Sequence, residues 1–328
     1  MTTPVWLDCD PGHDDAFAIL FAGYQPSLKL LGISTVGGNQ EHEKVVRNAS
    51  KVLKVSGLDH LRVYPGQDKP LLQKLLVCPE IHGDSGLDTP INQSNVLDTY
   101  YAPELIVRDQ KAVIHLAQLL STLDEPIHLI ATGPLTNYAL LLTLYPELHS
   151  KIKRIIFMGG SIGVGNISPA AEFNILVDSE AASIVIQSGV PITMVPLEVT
   201  HKAIITDQVM SLISTRLNHS PFSTLMIDLL SFFKLTYEQV FGFKYGPPLH
   251  DPCAVAFLVA PHLFTIQSMH VDVITSDSLC KGRTVCDIYN LSKGPKIDVA
   301  IDIDVDAFVD MLLDTLERAN QYSPLNKK

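Results

Sequence analysis

An α/β fold, with a mainly parallel central sheet and helices on both faces, follows from three features of the sequence. Short, wholly apolar runs recur through the first two-thirds of the chain. Most end in a turn bearing glycine or aspartate that opens a helix-like segment. Runs apolar on both faces suit strands buried between helical layers, and β-α units of this length connect parallel neighbours. The first strand is Val5-Trp6-Leu7, with Pro11-Gly12 as its turn and Ala16 to Leu20 as a buried helix start. Leu28 to Thr35 is the second strand; it ends in Gly37-Gly38-Asn39 before a helix from about Glu41 to Val55. Ile127 to Ala131 leads through Thr132-Gly133-Pro134 into an apolar helix reaching Leu144. Ile155 to Met158 enters the glycine-rich stretch Gly159 to Gly165, and Ile192 to Val195 follows a helix from Ser179 to Gln187. From Thr206 to Phe241 the pattern is helical. Strands return near Met269 to Thr275 and Ile297 to Ile303, and an amphipathic helix from Val305 to Ala319 closes the chain. No repeat or low-complexity linker interrupts residues 1–328, which are expected to form one domain with helical insertions over the site.

Composition narrows the function. Apolar residues make up 46% of the 328 and charged residues 18%, enough for a large core and too apolar for disorder. A net charge of −11 without any Lys/Arg run argues against nucleic acid as a partner. Five scattered cysteines with no C-x-x-C pair indicate neither a zinc site nor a disulfide framework. The polar N-terminus reaches a strand at once and no run approaches the ~20 apolar residues of a membrane span. A protein of the cytoplasm or nucleus, with no membrane partner, is expected.

The chemistry concentrates after the first strand. Asp10, Asp14 and Asp15 occupy D-P-G-H-D-D, and Asp8 precedes them in a D-x-D step. Asp is favoured at helix N-termini, which accounts for one such residue but not four. So much like charge at the end of a buried strand calls for a cation or protons, and an all-oxygen set favours a hard divalent ion, Ca²⁺ or Mg²⁺. In strand-helix sheets ligands bind beyond the carboxyl ends of the strands, where Asp10, Asn39, Thr132 and the segment Asn166 to Asn174 all fall. Asp251, in the proline-stiffened Gly246 to Pro252, reads either as a helix cap beside a surface His250 or as a further oxygen ligand. Glu172, Asn166 and Asn174 read either as a turn and helix cap or as partners for a vicinal diol. His82 lies in a loop rich in glycine and acidic groups, and His13, inside the first turn, is expected to face solvent without a role. An EF-hand begun at Asp10 fails, since Asp15 stands where Gly is needed and Phe21 where Glu is needed. The Gly159 to Gly165 stretch lacks both G-K-[ST] and G-x-G-x-x-G, and there is no G-x-S-x-G elbow.

Asp8 to Ala16, read as D-x-D-P-G-x-D-D-A, resembles the signature of the nucleoside hydrolases. Gly37-Gly38-Asn39, Ile81-His82-Gly83-x-Ser85-Gly86-Leu87, Ala131 to Asn137, Met158-Gly159-Gly160, Ala171 to Asn174 and Pro248-x-His250-Asp251-Pro252 match further family blocks in family order. The blocks span residues 8–252, and the look is nearest to fungal uridine nucleosidases. The resemblance implies a Rossmann-like nucleoside hydrolase fold and a Ca²⁺ ion held by Asp10, Asp15, the Thr132 carbonyl and Asp251. It implies Asp14 as the general base, with Asp8 in support. Asn39, Asn166, Glu172, Phe173 and Asn174 would bind the ribonucleoside, and His82 and His250 would stand near the leaving base, His250 being the first choice as its proton donor. The reaction so implied is hydrolysis of the N-glycosidic bond by a water activated by the metal and Asp14, with inversion at the anomeric carbon. Uridine is the expected substrate, in pyrimidine salvage, and a homodimer or homotetramer the expected assembly. Purine or unspecific nucleoside hydrolysis and non-catalytic nucleoside binding are the alternatives. A haloacid-dehalogenase-like phosphatase shares D-x-D after a first strand, but Pro11-Gly12 stands where its nucleophile motif continues. Base preference is assigned to 222–245, with Thr236, Tyr237, Glu238 and Phe241 as candidates.

Overall fold

The computed structural model describes residues 2–90 and 96–327. The elements run β1 (Thr3–Cys9), α1 (His13–Tyr24), β2 (Leu28–Thr35), α2 (His42–Ser56), β3 (Val63–Pro65), α3 (Pro79–His82), α4 (Ala112–Thr122), β4 (Ile127–Ala131), α5 (Thr136–Leu144) and β5 (Ile152–Met158). They continue as α6 (Phe173–Val177), α7 (Ser179–Ile186), β6 (Ile192–Val195), α8 (Leu197–Thr200), α9 (Asp207–Arg216), α10 (Pro221–Phe241), α11 (Asp251–Val259), β7 (Phe264–Val273), β8 (Thr284–Cys286), β9 (Lys296–Ile303) and α12 (Val305–Tyr322).

The strands form one sheet in the order β3-β2-β1-β4-β5-β6-β9-β7-β8. Pairing is parallel from β3 to β9, and only β7 and β8 run antiparallel to their neighbours. The expected mixed α/β architecture is therefore present, with an antiparallel margin. From β1 the chain first builds outward through β2 to β3, then returns to lay β4 on the other side of β1. The carboxyl ends of β1 and β4 thus flank a switch point, where helices leave to opposite sides and a crevice opens.

Alternation along β1 explains both layers. Val5, Leu7 and Cys9 enter a core shared with α1, α2, α11 and α12, while Trp6 enters a second core with α4, α5 and α7. A third, small cluster of Cys78, Ile81, Phe173, Val177, Phe233 and Tyr237 joins α3, α6 and α10. Among the described residues no helix is long and apolar enough to cross a membrane.

The limits of β2, β4 and β6 coincide with the apolar runs that predicted them. The strand expected near Met269 starts earlier, at Phe264, because one face is partly exposed and carries Thr265 and Gln267 between its apolar positions. Unexpected elements include β3 and β8, three residues each, the short helices α3 and α8, and α4. The two strands are too short for a period to register, but α4 buries Val113, Leu116, Ala117 and Leu120 at helical spacing.

Candidate active site

Asp8 stands beside Ala131 in the β1–β4 register, and the Thr132 N–H donates to the Asp8 carbonyl at 2.9 Å. The turn into α1 carries Asp10, and the first turn of α1 carries Asp14 and Asp15. Helix α11 packs against α1 and opens with Asp251. Asp251 is not a helix cap: His250 holds that position, makes no side-chain cap, and is buried rather than at the surface. All four carboxylates are buried, and oxygens of Asp14, Asp15 and Asp251 lie within 4.8 Å of one another.

Asp15 accepts from the Thr132 hydroxyl at 2.7 Å, the Gly12 N–H at 3.0 Å and the Asn39 amide at 3.1 Å. Asp10 accepts the Asn39 N–H on Oδ2 at 2.7 Å, while its Oδ1 is buried without a hydrogen-bond partner. A Cβ at Gly38 would stand 2.0 Å from one Asp10 oxygen and a Cβ at Gly133 2.5 Å from the other, so glycine backbone closes on the carboxylate from both sides. Burial, then neighbouring charge, pushes Asp10 and Asp251 well above the usual carboxylate range and Asp14 up to about 7. Burial also raises Asp15, against the hydrogen bonds from Gly12 and Thr132. A buried orphan oxygen among four crowded carboxyls is satisfied by protons or by a hard divalent cation, and these all-oxygen donors fit such a cation. Behind them Asp8 accepts from Ser34 and Asn137, tying β1 to β2 and α5.

A cavity of about 270 Å³, the scale of a small organic ligand, opens above the cluster. Asp14, Asn39, His82, Thr132, Asn166, Glu172, Phe173, Asn174, His250 and Asp251 all line it, whereas Asp10 and Asp15 lie beneath the lining. Glu172 caps α6, accepting the N–H of Asn174 at 2.9 Å and of Ile175 at 3.1 Å, and also takes the Gly160 N–H at 2.9 Å. The cap reading and the cavity position therefore hold together. Burial raises Glu172 to about 7. The Asn174 amide donates to the Thr132 carbonyl at 2.9 Å, and the Asn166 side chain accepts the Phe173 N–H at 2.9 Å.

Two histidines also line the cavity. His250 is held through Nδ1 to the Thr200 hydroxyl and through Nε2 to the Tyr237 hydroxyl, each at 2.7 Å. His82 Nδ1 receives the His13 N–H at 3.2 Å, so a neutral His82 carries its proton on Nε2. Burial holds both well below the ordinary histidine range, hence uncharged at neutral pH. His13 does not face solvent. It is fully buried, stacked on His82 and Phe233, with Nε2 2.8 Å from the Asp88 carbonyl. The turn points its ring back under α10, which sequence spacing does not reveal.

Of the base-side candidates, Tyr237 and Phe241 line the cavity. The Thr236 hydroxyl instead donates to the Ile81 carbonyl at 2.9 Å, and Glu238 is exposed outside the lining. Cys78, Glu80, Ile81, Met158, Ile167 and Val240 line it without having been singled out. Position supplied a signal for some of them: Ile81 and Glu80 adjoin His82, and Ile167 adjoins Asn166.

A parallel sheet with buried carboxylates at its switch point, sharing one pocket with Asn and Glu side chains, defines the enzyme class of nucleoside hydrolases. Residues 5–310 match the family model described as inosine-uridine preferring nucleoside hydrolase, and the chain belongs to that family. Pyrimidine-specific ribonucleoside hydrolase RihA of Escherichia coli is 44% identical over 320 residues, covering 97% of this chain and 99% of that protein. The purine-preferring ribonucleoside hydrolase from Gardnerella vaginalis superposes with a TM-score of 0.86 at 31% identity, over 97% of this chain and 99% of the other. A plant nucleoside hydrolase gives a TM-score of 0.86 at 28% identity, over 96% and 99% of the two chains.

Proposed function

We propose that this protein hydrolyses the N-glycosidic bond of pyrimidine ribonucleosides, uridine foremost, to free base and ribose. The observation that carries the reading is the cavity itself, lined by carboxylates, by Asn and Glu side chains and by two neutral histidines. The pyrimidine preference is supported by 44% identity to a pyrimidine-specific relative along nearly the whole chain, against 31% to a purine-preferring one.

Asp10, Asp15, the Thr132 carbonyl and Asp251 would hold a Ca²⁺ ion, the orphaned Asp10 Oδ1 being one unsatisfied donor. Once bound, the cation neutralises the carboxylates and favours ionised oxygen nearby. Asp14, at the cavity floor, takes the proton of the attacking water as general base. Asn39, Asn166, Glu172 and Asn174 bind and orient the ribose hydroxyls, and Phe173 adds an apolar wall. A site built to hydrogen-bond those hydroxyls penalises their absence, so 2′-deoxynucleosides are poor substrates.

The departing base needs a proton. His250 is neutral at rest with partners on both nitrogens, so it must first gain a proton before it can pass one to the base, through the Tyr237 hydroxyl or by breaking one of those contacts. His82, neutral with its proton on Nε2, is the second candidate and offers the base a hydrogen bond. The whole chain acts as one nucleoside hydrolase domain, in the cytoplasm, as a homodimer or homotetramer; light scattering reads the assembly. A kcat/KM panel over uridine, cytidine, inosine, adenosine and 2′-deoxyuridine tests the reading. Highest values on uridine and cytidine support it; purine preference overturns the base assignment, and no ribose release from any of them overturns the reaction.

A further inference from the structure

Five consecutive backbone N–H groups, from Gly160 to Val164, find their acceptors on side chains of three other elements rather than on backbone. Glu172 takes Gly160 at 2.9 Å and the Thr284 hydroxyl of β8 takes Ser161 at 2.9 Å. Glu198 of α8 takes the rest: Ile162 on both oxygens at 2.9 Å, Gly163 at 2.7 Å and Val164 at 3.3 Å. A carboxylate set against successive N–H groups is an anion nest, with the backbone supplying the compensating partial charge. Among the described residues no Lys or Arg forms an ion pair with Glu198.

The leading end is also held by the Thr284 hydroxyl donating to the Ser161 carbonyl, by the Leu197 N–H on the Gly160 carbonyl at 3.1 Å and by Ile162 packing on the second core, but beyond Ile162 the stretch is open. Gly163 is exposed with open space around it, and Val164 is 43% exposed. Yet its continuation enters the cavity, where Asn166 and Ile167 form part of the wall and the chain then reaches Glu172, Phe173 and Asn174. Asn166 is tied at its trailing end, its N–H donating to the Ala171 carbonyl at 3.1 Å and its side chain accepting the Phe173 N–H at 2.9 Å, so Glu198 supplies the anchor at the leading end of the same turn. Glu198 itself is half-buried and does not line the cavity. Two residues further along α8, Thr200 meets His250, so one helical turn holds parts of both walls.

We propose that Glu198 is a positioning residue for substrate binding: its carboxylate clamps residues 162–164 and thereby sets Asn166 and Ile167 against the ribose. This rests on the nucleoside hydrolase reading for what the wall binds, but not for the clamp itself. The test compares wild type with Glu198→Gln, which keeps one acceptor oxygen, and Glu198→Ala, which keeps none. Amide hydrogen exchange, with and without Ca²⁺, reads the clamp at residues 162–164; uridine hydrolysis and inhibition by ribose read its consequence. Expected is exchange at 162–164 accelerated about tenfold or more in the alanine variant. KM for uridine and Ki for ribose rise roughly five- to twentyfold with kcat much less changed, and the glutamine variant falls between. Unchanged exchange overturns the clamp. Faster exchange with unchanged KM and Ki, or a loss confined to kcat, overturns the positioning role. A wild type that releases no ribose would sink the parent reading instead, and exchange rates would still decide the clamp.

Discussion

In the absence of a divalent cation, replacing Asp14 with Asn should stabilise the protein, and increasingly so as pH rises. Asp14 is buried, close to Asp15 and Asp251, and its carboxyl is pushed from 3.8 to about 7 by burial first and by the Asp15 charge second. A carboxyl with a raised folded-state value favours the fold while protonated; that advantage is intact below 3.8 and is lost as pH climbs through about 7. At 1.36 kcal/mol per pH unit the full loss is about 4 kcal/mol, reached near pH 8, with roughly 2 kcal/mol already lost at pH 5. Asn keeps the shape without the titration, so the variant gains on wild type by about 3 kcal/mol between those two pH values, or on the order of 4 °C in Tm. Comparing the two proteins at each pH matters, because His13, His82 and His250 are held neutral by burial and weaken the fold on acidification. That contribution is common to both chains and cancels. The assay is thermal unfolding of wild type and Asp14→Asn in excess EGTA from pH 5 to 8. A Tm difference that is flat, or that shrinks toward pH 8, would refute the picture of a buried, crowded and mutually repelling cluster.

Four further outcomes are expected. Chelation abolishes uridine hydrolysis and lowers Tm, and added Ca²⁺ restores both more effectively than Mg²⁺; equal restoration by the two ions removes the calcium assignment. With Ca²⁺ present, Asp14→Ala still folds but loses about 10²–10⁴-fold in kcat, and near-wild-type turnover would remove Asp14 as the base. His250→Ala loses heavily on uridine and little on p-nitrophenyl riboside, whose leaving group needs no proton; equal losses on both assign His250 to fold or metal. Gly12→Ala puts a methyl group 2.5 Å from His82 Nδ1, so it should displace that ring and lower kcat/KM, and an unchanged kcat/KM would show that His82 has room to move without consequence.

The sequence determines by itself whatever depends on local periodicity or on residues adjacent in the chain. Apolar runs identified most of the parallel strands because each is buried on both faces, and a buried face leaves no polar interruption. Asp8, Asp10, Asp14 and Asp15 announced a crowded carboxylate site because the repulsion is built into eight consecutive residues of chain. What only the tertiary structure decided is the far half of the pocket. Nothing local says that His13 is buried under α10, that the Thr236 hydroxyl turns away to Ile81, or that both His250 nitrogens are occupied. Those facts arise from segments that meet only after α1, α3, α8, α10 and α11 have packed. The Glu198 clamp is of the same kind: an ordinary glutamate in sequence, it acquires its partners only when α8 docks beside the loop leaving β5. Hydrogen-bond geometry reaches about 3 Å and is indifferent to sequence separation, so it becomes legible only once the chain has closed on itself.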